Sequence, residues 1–140
     1  MQTFLPYPDF KESLACLDYK RLGKQRLEAM QLVNSILKLE KDPTAKVGWA
    51  NHPARNMWIG YLDALKLYHN LSIAEWKTRG YNNAMVEYII PDKIDYPPWI
   101  GDDSIHASHR SNLLRKDPVH YGKFGWLEPD NLPYYWPIKK

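Results

Sequence analysis

Apolar residues recur at positions 10, 14, 17, 22, 27, 30, 33 and 36, mostly three or four apart, the period of one helix face. Asp9 precedes this run and Glu12 follows three residues later, the spacing of a capping box. The pattern predicts one long helix from Asp9 to about residue 39, with Gly23 as its weak point. A second stripe, Met57, Trp58, Tyr61, Leu62, Leu65, Tyr68, Leu71, Ile73 and Trp76, predicts a helix from Pro53 to Arg79 with Gly80 as its stop. A third, over about 103–116, carries "DSIHASHRSNLLRK" and ends before Pro118. "MQTFLPYPDF", with two prolines, reads as extended and packed. "KDPTAKVGWANHP" and "PDKIDYPPWIGDD" read as loops, and "YNNAMVEYII" as a short helix. The aromatic tail from Tyr121 onward is irregular and is expected to wrap over the helices. The prediction is an all-α, compact single domain over 1–140, with about three main helices and irregular Pro- and aromatic-rich ends.

Composition narrows the function classes. A chain of 140 residues, 44% hydrophobic, can bury one core. The net charge of +3 permits a polyanionic partner without demanding one. Six Trp and ten Tyr exceed ordinary core needs and suit stacking surfaces. No apolar run reaches the roughly 20 residues of a membrane span. The lone Cys16 excludes an internal disulfide, and with no signal peptide it leads us to expect an intracellular setting. Between Ala15 and Leu17, it reads as a buried hydrophobe.

Three stretches carry candidate chemistry. In "YKRLGKQRLE", Arg21, Gln25 and Glu28 share a helix face, Lys20 and Lys24 form a neighbouring stripe, and Arg26 lies farther round. The face is either solvated, with Lys24 and Glu28 paired, or the wall of a site. "NHPARNMW" sets Asn51 and His52 before a helix start and Arg55 in its first turn. That is a phosphate site on free backbone N–H groups, or Asn51 as a cap with His52 in a loop. "HASHRSNLLRK" sets His106 and His109 one turn apart, with Arg110, Ser111, Arg115 and Lys116 after them. The pair suits a metal, contacts to phosphate and sugar, or a structural role. No HExxH, phosphate-binding Gly-rich loop or GxSxG motif is present.

Together "FLPYPDF", "LDYKRLGKQRLEA", "NHPARNMWIGY", "HASHRSNLLRKDPVHY" and "LPYYWP" resemble a bacterial and viral branch of the pyrimidine-dimer DNA glycosylases of the phage endonuclease V type. The resemblance to the branch covers nearly the whole chain. That to the phage enzyme rests on the Leu22–Gln25–Glu28 pattern, "AEWKTRGY" and the third-helix segment. It implies a small all-α fold without metal or cofactor, acting on double-stranded DNA as a glycosylase and abasic-site lyase. It implies that the chain's α-amine, here that of Met1, attacks the sugar C1′ to form a Schiff base, and that Glu28 is the essential glutamate. Arg21 stands where the family has a histidine beside the site, and Leu27 where it has an arginine, a departure.

An α-amine has a reference pKa of about 7.7–8.0, lowered further by neighbouring cations, so a neutral fraction exists near pH 7. Glu28 could stabilise the developing sugar cation and move protons. Gln25 belongs to the same candidate site. Lys20, Lys24, Arg26, His52, Arg55, His106, His109, Arg110, Arg115 and Lys116 are the candidate DNA contacts. Before the bulky Gln2, Met1 is expected to be retained. Two other readings are a non-catalytic nucleic-acid-binding module of the same fold and an enzyme of nucleosides or nucleotides. We expect a monomer, because the aromatic tail covers its own domain, and no membrane association.

Overall fold

The computed structural model describes residues 2–46 and 52–137. Six helices and one 3₁₀ turn occur among the described residues, and no strand. They are α1 (Phe10–Ala15), α2 (Tyr19–Lys41), α3 (Pro53–Asn56), α4 (Leu62–Thr78), α5 (Asp103–Lys116) and α6 (Pro118–Tyr121). The long helix α2 packs along α4, and α1 packs on α4 as well. Leu22, Ala29, Leu32, Val33 and Ile36 of α2, Leu65 and Tyr68 of α4, and Ile105 and Leu113 of α5 share one core. Tail residues Trp126, Tyr134 and Trp136 pack against it from outside. The fold is all-α, as the periodicity predicts.

Two predicted helices are each divided. The first breaks at Cys16–Leu17, because Asp18 caps a new helix by accepting the Arg21 N–H. The Tyr121 hydroxyl pins the joint. It accepts the Asp18 N–H at 3.1 Å and donates to the Asp18 carboxylate at 2.5 Å. Arg79 donates to the Leu14 and Ala15 carbonyls, closing the end of α1. The second breaks between Asn56 and Leu62, where Gly60 takes φ 88°, a conformation that favours glycine. His52, not Asn51, caps α3, its ring accepting the Ala54 N–H; Asn51 lies outside the described residues. Gly80 is the expected stop of α4, at φ 89°, with the Tyr81 N–H bonded back to the Trp76 carbonyl.

The stretch 81–90 contains no helix, contrary to expectation. Its backbone bonds go to side chains instead. Asn70 accepts from the Tyr88 N–H and donates to the Tyr88 carbonyl, and Asn83 donates to the Met85 carbonyl. Cys16 is buried as expected, and burial pushes its thiol up to about 12.

The extended N-terminal segment runs through the interior. Residues 2–5 are all buried. With no strand to pair with, they bond to side chains. His109 Nδ1 accepts the Leu5 N–H at 2.9 Å, and His106 Nδ1 donates to the Leu5 carbonyl at 2.8 Å. His106 Nε2 accepts the Gly101 N–H, which fixes the proton on Nδ1. Tyr68 donates to the Phe4 carbonyl at 2.8 Å, and Trp58 Nε1 to Thr3 Oγ1 at 3.0 Å. Burial lowers the pKa of both histidines, that of His109 to about 3.

Protonating His109 at Nδ1 would destroy its acceptor role toward Leu5. Its folded pKa lies below the ordinary 6.5, so the unfolded chain binds the proton first as pH falls. His109 therefore gives its full support above about pH 6.5 and loses it on acidification, by at most about 1.4 kcal/mol per pH unit for one proton. Urea unfolding between pH 7.5 and 5 should show this slope, and His109→Gln should flatten it.

Candidate active site

Helix α2 turns Gln25 inward and Glu28 to the edge of a cavity of about 390 Å³. Its floor is the N-terminal segment, through Gln2 and Phe4, and Tyr134 of the tail closes one side. Lys20, Arg21 and Lys24 line it from α2, and Lys116 from the end of α5. Four cations and one carboxylate thus face a common space. Sequence spacing brings the α2 residues to one face, but only the fold adds Lys116, Gln2, Phe4 and Tyr134.

Gln25 is fully satisfied and 1% exposed. Its Oε1 accepts the Phe4 N–H at 2.9 Å and the Tyr68 hydroxyl at 2.6 Å. Its Nε2 donates to the Gln2 carbonyl at 2.9 Å and to Glu28 Oε2 at 3.5 Å. An amide using all these groups holds other atoms in place rather than reacting. Gln25, expected as a catalytic group, has both ends of its amide bonded within the protein. Glu28 Oε2 also accepts the Gln2 backbone N–H at 3.3 Å. Glu28 makes no ion pair with Lys24 within 4 Å among the described residues. The glutamate is thereby held beside the start of the chain. Met1 itself lies outside the described residues.

Arg21 is steadied at the cavity wall by Asp18, at 3.2 Å. Burial opposes ionisation of Asp18, but hydrogen bonds from Tyr121 and Arg21 outweigh it and hold the carboxyl below its usual range. Lys116 is depressed, first by burial and then by Arg21, Arg115 and Lys24 nearby. Cations that raise one another's energy in this way are relieved by an anion.

Seven other candidates lie away from this cavity. His106 and His109, expected as DNA contacts, are in the core, bonded to the Leu5 backbone. Arg110, also expected as a DNA contact, is engaged within the protein. It bridges Asp103 and Glu128 at 2.9 Å each and donates to the Pro6 carbonyl. Arg26 bonds Asn83 and lies 4.1 Å over the Trp76 ring, on the α4 side of α2. His52 caps α3 and packs edge-on against Trp136, and Arg55 bonds Asn56. Arg115 bonds Asn112 and stays exposed next to Lys116. Among the described residues no group of three His, Cys, Asp or Glu could hold a metal, and no helix is long and apolar enough to cross a membrane.

A partly buried carboxylate bonded to the Gln2 N–H, with four cations lining the same cavity, suits the binding of a phosphodiester and acid–base work at an adjacent sugar. No curated protein and no solved structure matches the chain. A family model described as pyrimidine dimer DNA glycosylase matches residues 1–87, which takes in the N-terminal segment, Gln25, Glu28 and helices α1 to α4. The chain belongs to the pyrimidine dimer DNA glycosylase family.

Proposed function

We propose that this protein is a DNA glycosylase and abasic-site lyase that acts on pyrimidine dimers in double-stranded DNA through an imine on its N-terminal amine. The observation that carries this reading is the bond from the Gln2 backbone N–H to Glu28, inside a cavity walled by four cations. The amine of Met1 is one residue from that bond. Neighbouring cations lower an amine's pKa and enlarge its neutral, nucleophilic fraction.

In this reading the amine attacks C1′ of the damaged nucleotide and the glycosidic bond breaks, the base leaving with its electron pair. Glu28 stabilises the positive charge that develops on the sugar. The attached amine then loses a proton, its lone pair expels O4′ from C1′, and O4′ takes up a proton, so that the sugar ring opens to the imine. Glu28, as its carboxylate, takes a C2′ proton, and the 3′ phosphate leaves as the strand breaks. Arg21, Lys20, Lys24 and Lys116 hold the flanking phosphates. Gln25 acts through others, fixing both the Gln2 backbone and the Glu28 carboxylate.

Glu28→Gln should lower cleavage of a dimer-bearing duplex by about 10²- to 10⁴-fold, the usual contribution of a positioned proton-transfer group. Duplex affinity should stay within a few-fold, measured by fluorescence anisotropy. A binding module of the same fold would show no cleavage to lose. Gln25→Leu should lower cleavage about 100-fold through misplaced geometry and also reduce thermal stability. Four phosphate contacts predict a slope of about −3.6 for log affinity against log salt on duplex DNA, whereas an enzyme of free nucleotides would show a far weaker dependence.

A further inference from the structure

Lys20, Arg21 and Lys116 line two cavities at once. The second, about 520 Å³, shares these cations, but Glu28 lines only the first. Its walls come from the start of α2, from Arg79 at the end of α4, and from the α5–α6 joint at Asp117 and His120. That volume is within the range of small-ligand sites.

One wall is Tyr19, 53% exposed. Its ring leans on Tyr81 at 6.0 Å, Tyr81 on Trp76 at 4.4 Å, and Arg26 closes the far end over Trp76. Tyr19 is thus the outer member of a braced stack, a platform of the kind on which an unstacked base rests. Two carboxylates also line the cavity, but both face inward bonds. Asp18 is held by Tyr121 and Arg21, and Asp117 accepts the His120 N–H. A phosphate is therefore favoured at the shared cations, while a sugar and base can meet Tyr19 and the satisfied groups beside it.

We propose that the second cavity is a flanking-nucleotide subsite. Lys20, Arg21 and Lys116 hold the phosphate between two successive nucleotides, one at Glu28 and the other with its base on Tyr19. This rests on the glycosylase reading of the first cavity.

The test uses a duplex carrying a tetrahydrofuran abasic analogue, which cannot form an imine. It is prepared intact, or with the single nucleotide 5′ or 3′ of the analogue omitted. Binding of the full chain is read by fluorescence anisotropy, alongside cleavage of dimer-bearing and abasic duplexes. Tyr19→Ala should weaken binding of the intact duplex about 5- to 150-fold, the size of one base–aromatic stack. Tyr19→Phe should bind like the wild type. In one of the two gapped duplexes, and not the other, the Tyr19→Ala effect should vanish.

Equal affinity of wild type and Tyr19→Ala for the intact duplex overturns the subsite. So does a loss of equal size on all three duplexes. If the wild type still cleaves the lesions in either case, the glycosylase reading stands alone. A Tyr19 effect that vanishes in one gapped duplex, in a protein that cleaves neither lesion, supports the subsite as a nucleic-acid groove and removes the glycosylase reading. No binding of the intact duplex by the wild type overturns both. Thermal unfolding of Tyr19→Ala, at a half-exposed position, should match the wild type.

Discussion

An extended segment with no partner strand runs through the interior, and the site depends on how its backbone is satisfied. Each unpaired buried N–H or C=O costs about 1–3 kcal/mol. Gln25, Tyr68, His106 and His109 bond these groups over residues 2–5. A strand partner would do this with a ladder, whereas here helices α2, α4 and α5 each lend side chains. The three helices must therefore be correctly packed before the segment can be held, and core and site form together.

The same arrangement explains why Glu28 sits among cations without an ion pair to Lys24. Its Oε2 is engaged by the Gln2 N–H and by Gln25. The cations are left to face the cavity, where burial and then the nearby cations lower Lys116, an arrangement that an anion would relieve. Charge that would stabilise little as surface salt bridges is instead gathered on one cavity. The aromatic excess has a comparable division of labour. Trp58, Tyr68 and Tyr121 are fully buried, each bonded through its polar atom, while Tyr19 and Tyr81 remain half-exposed.

Periodicity located the helical mass because it reports burial of one face. It placed the third helix at Asp103–Lys116, where Asp102 caps one end and Pro118 follows the other. It overran the α1–α2 and α3–α4 breaks, because apolar spacing continues through a turn that buries its side chains too. What makes those turns is local or distant bonding, by Asp18, Tyr121 and Arg79, which spacing does not report. At the site, the shared face of Arg21, Gln25 and Glu28 was legible. The division of roles was not, because the direction of Gln25 depends on the segment it clamps. The inward placement of His106 and His109 was not legible for the same reason: an imidazole pair one turn apart looks alike whether it faces solvent or a buried backbone. Lys116 was named as one more basic residue, and only the fold carries it to Lys20 and Arg21.

The central proposal is that the α-amine of residue 1 forms the imine, beside a Glu28 held on the Gln2 backbone. The most direct measurement is borohydride trapping on an abasic duplex, with the starting N-terminus verified by mass spectrometry and the adduct mapped by peptide sequencing. The account predicts a covalent adduct whose attachment point is the α-amine of residue 1. An adduct on Lys20, Lys24 or Lys116, or none with a verified free amine, would contradict it.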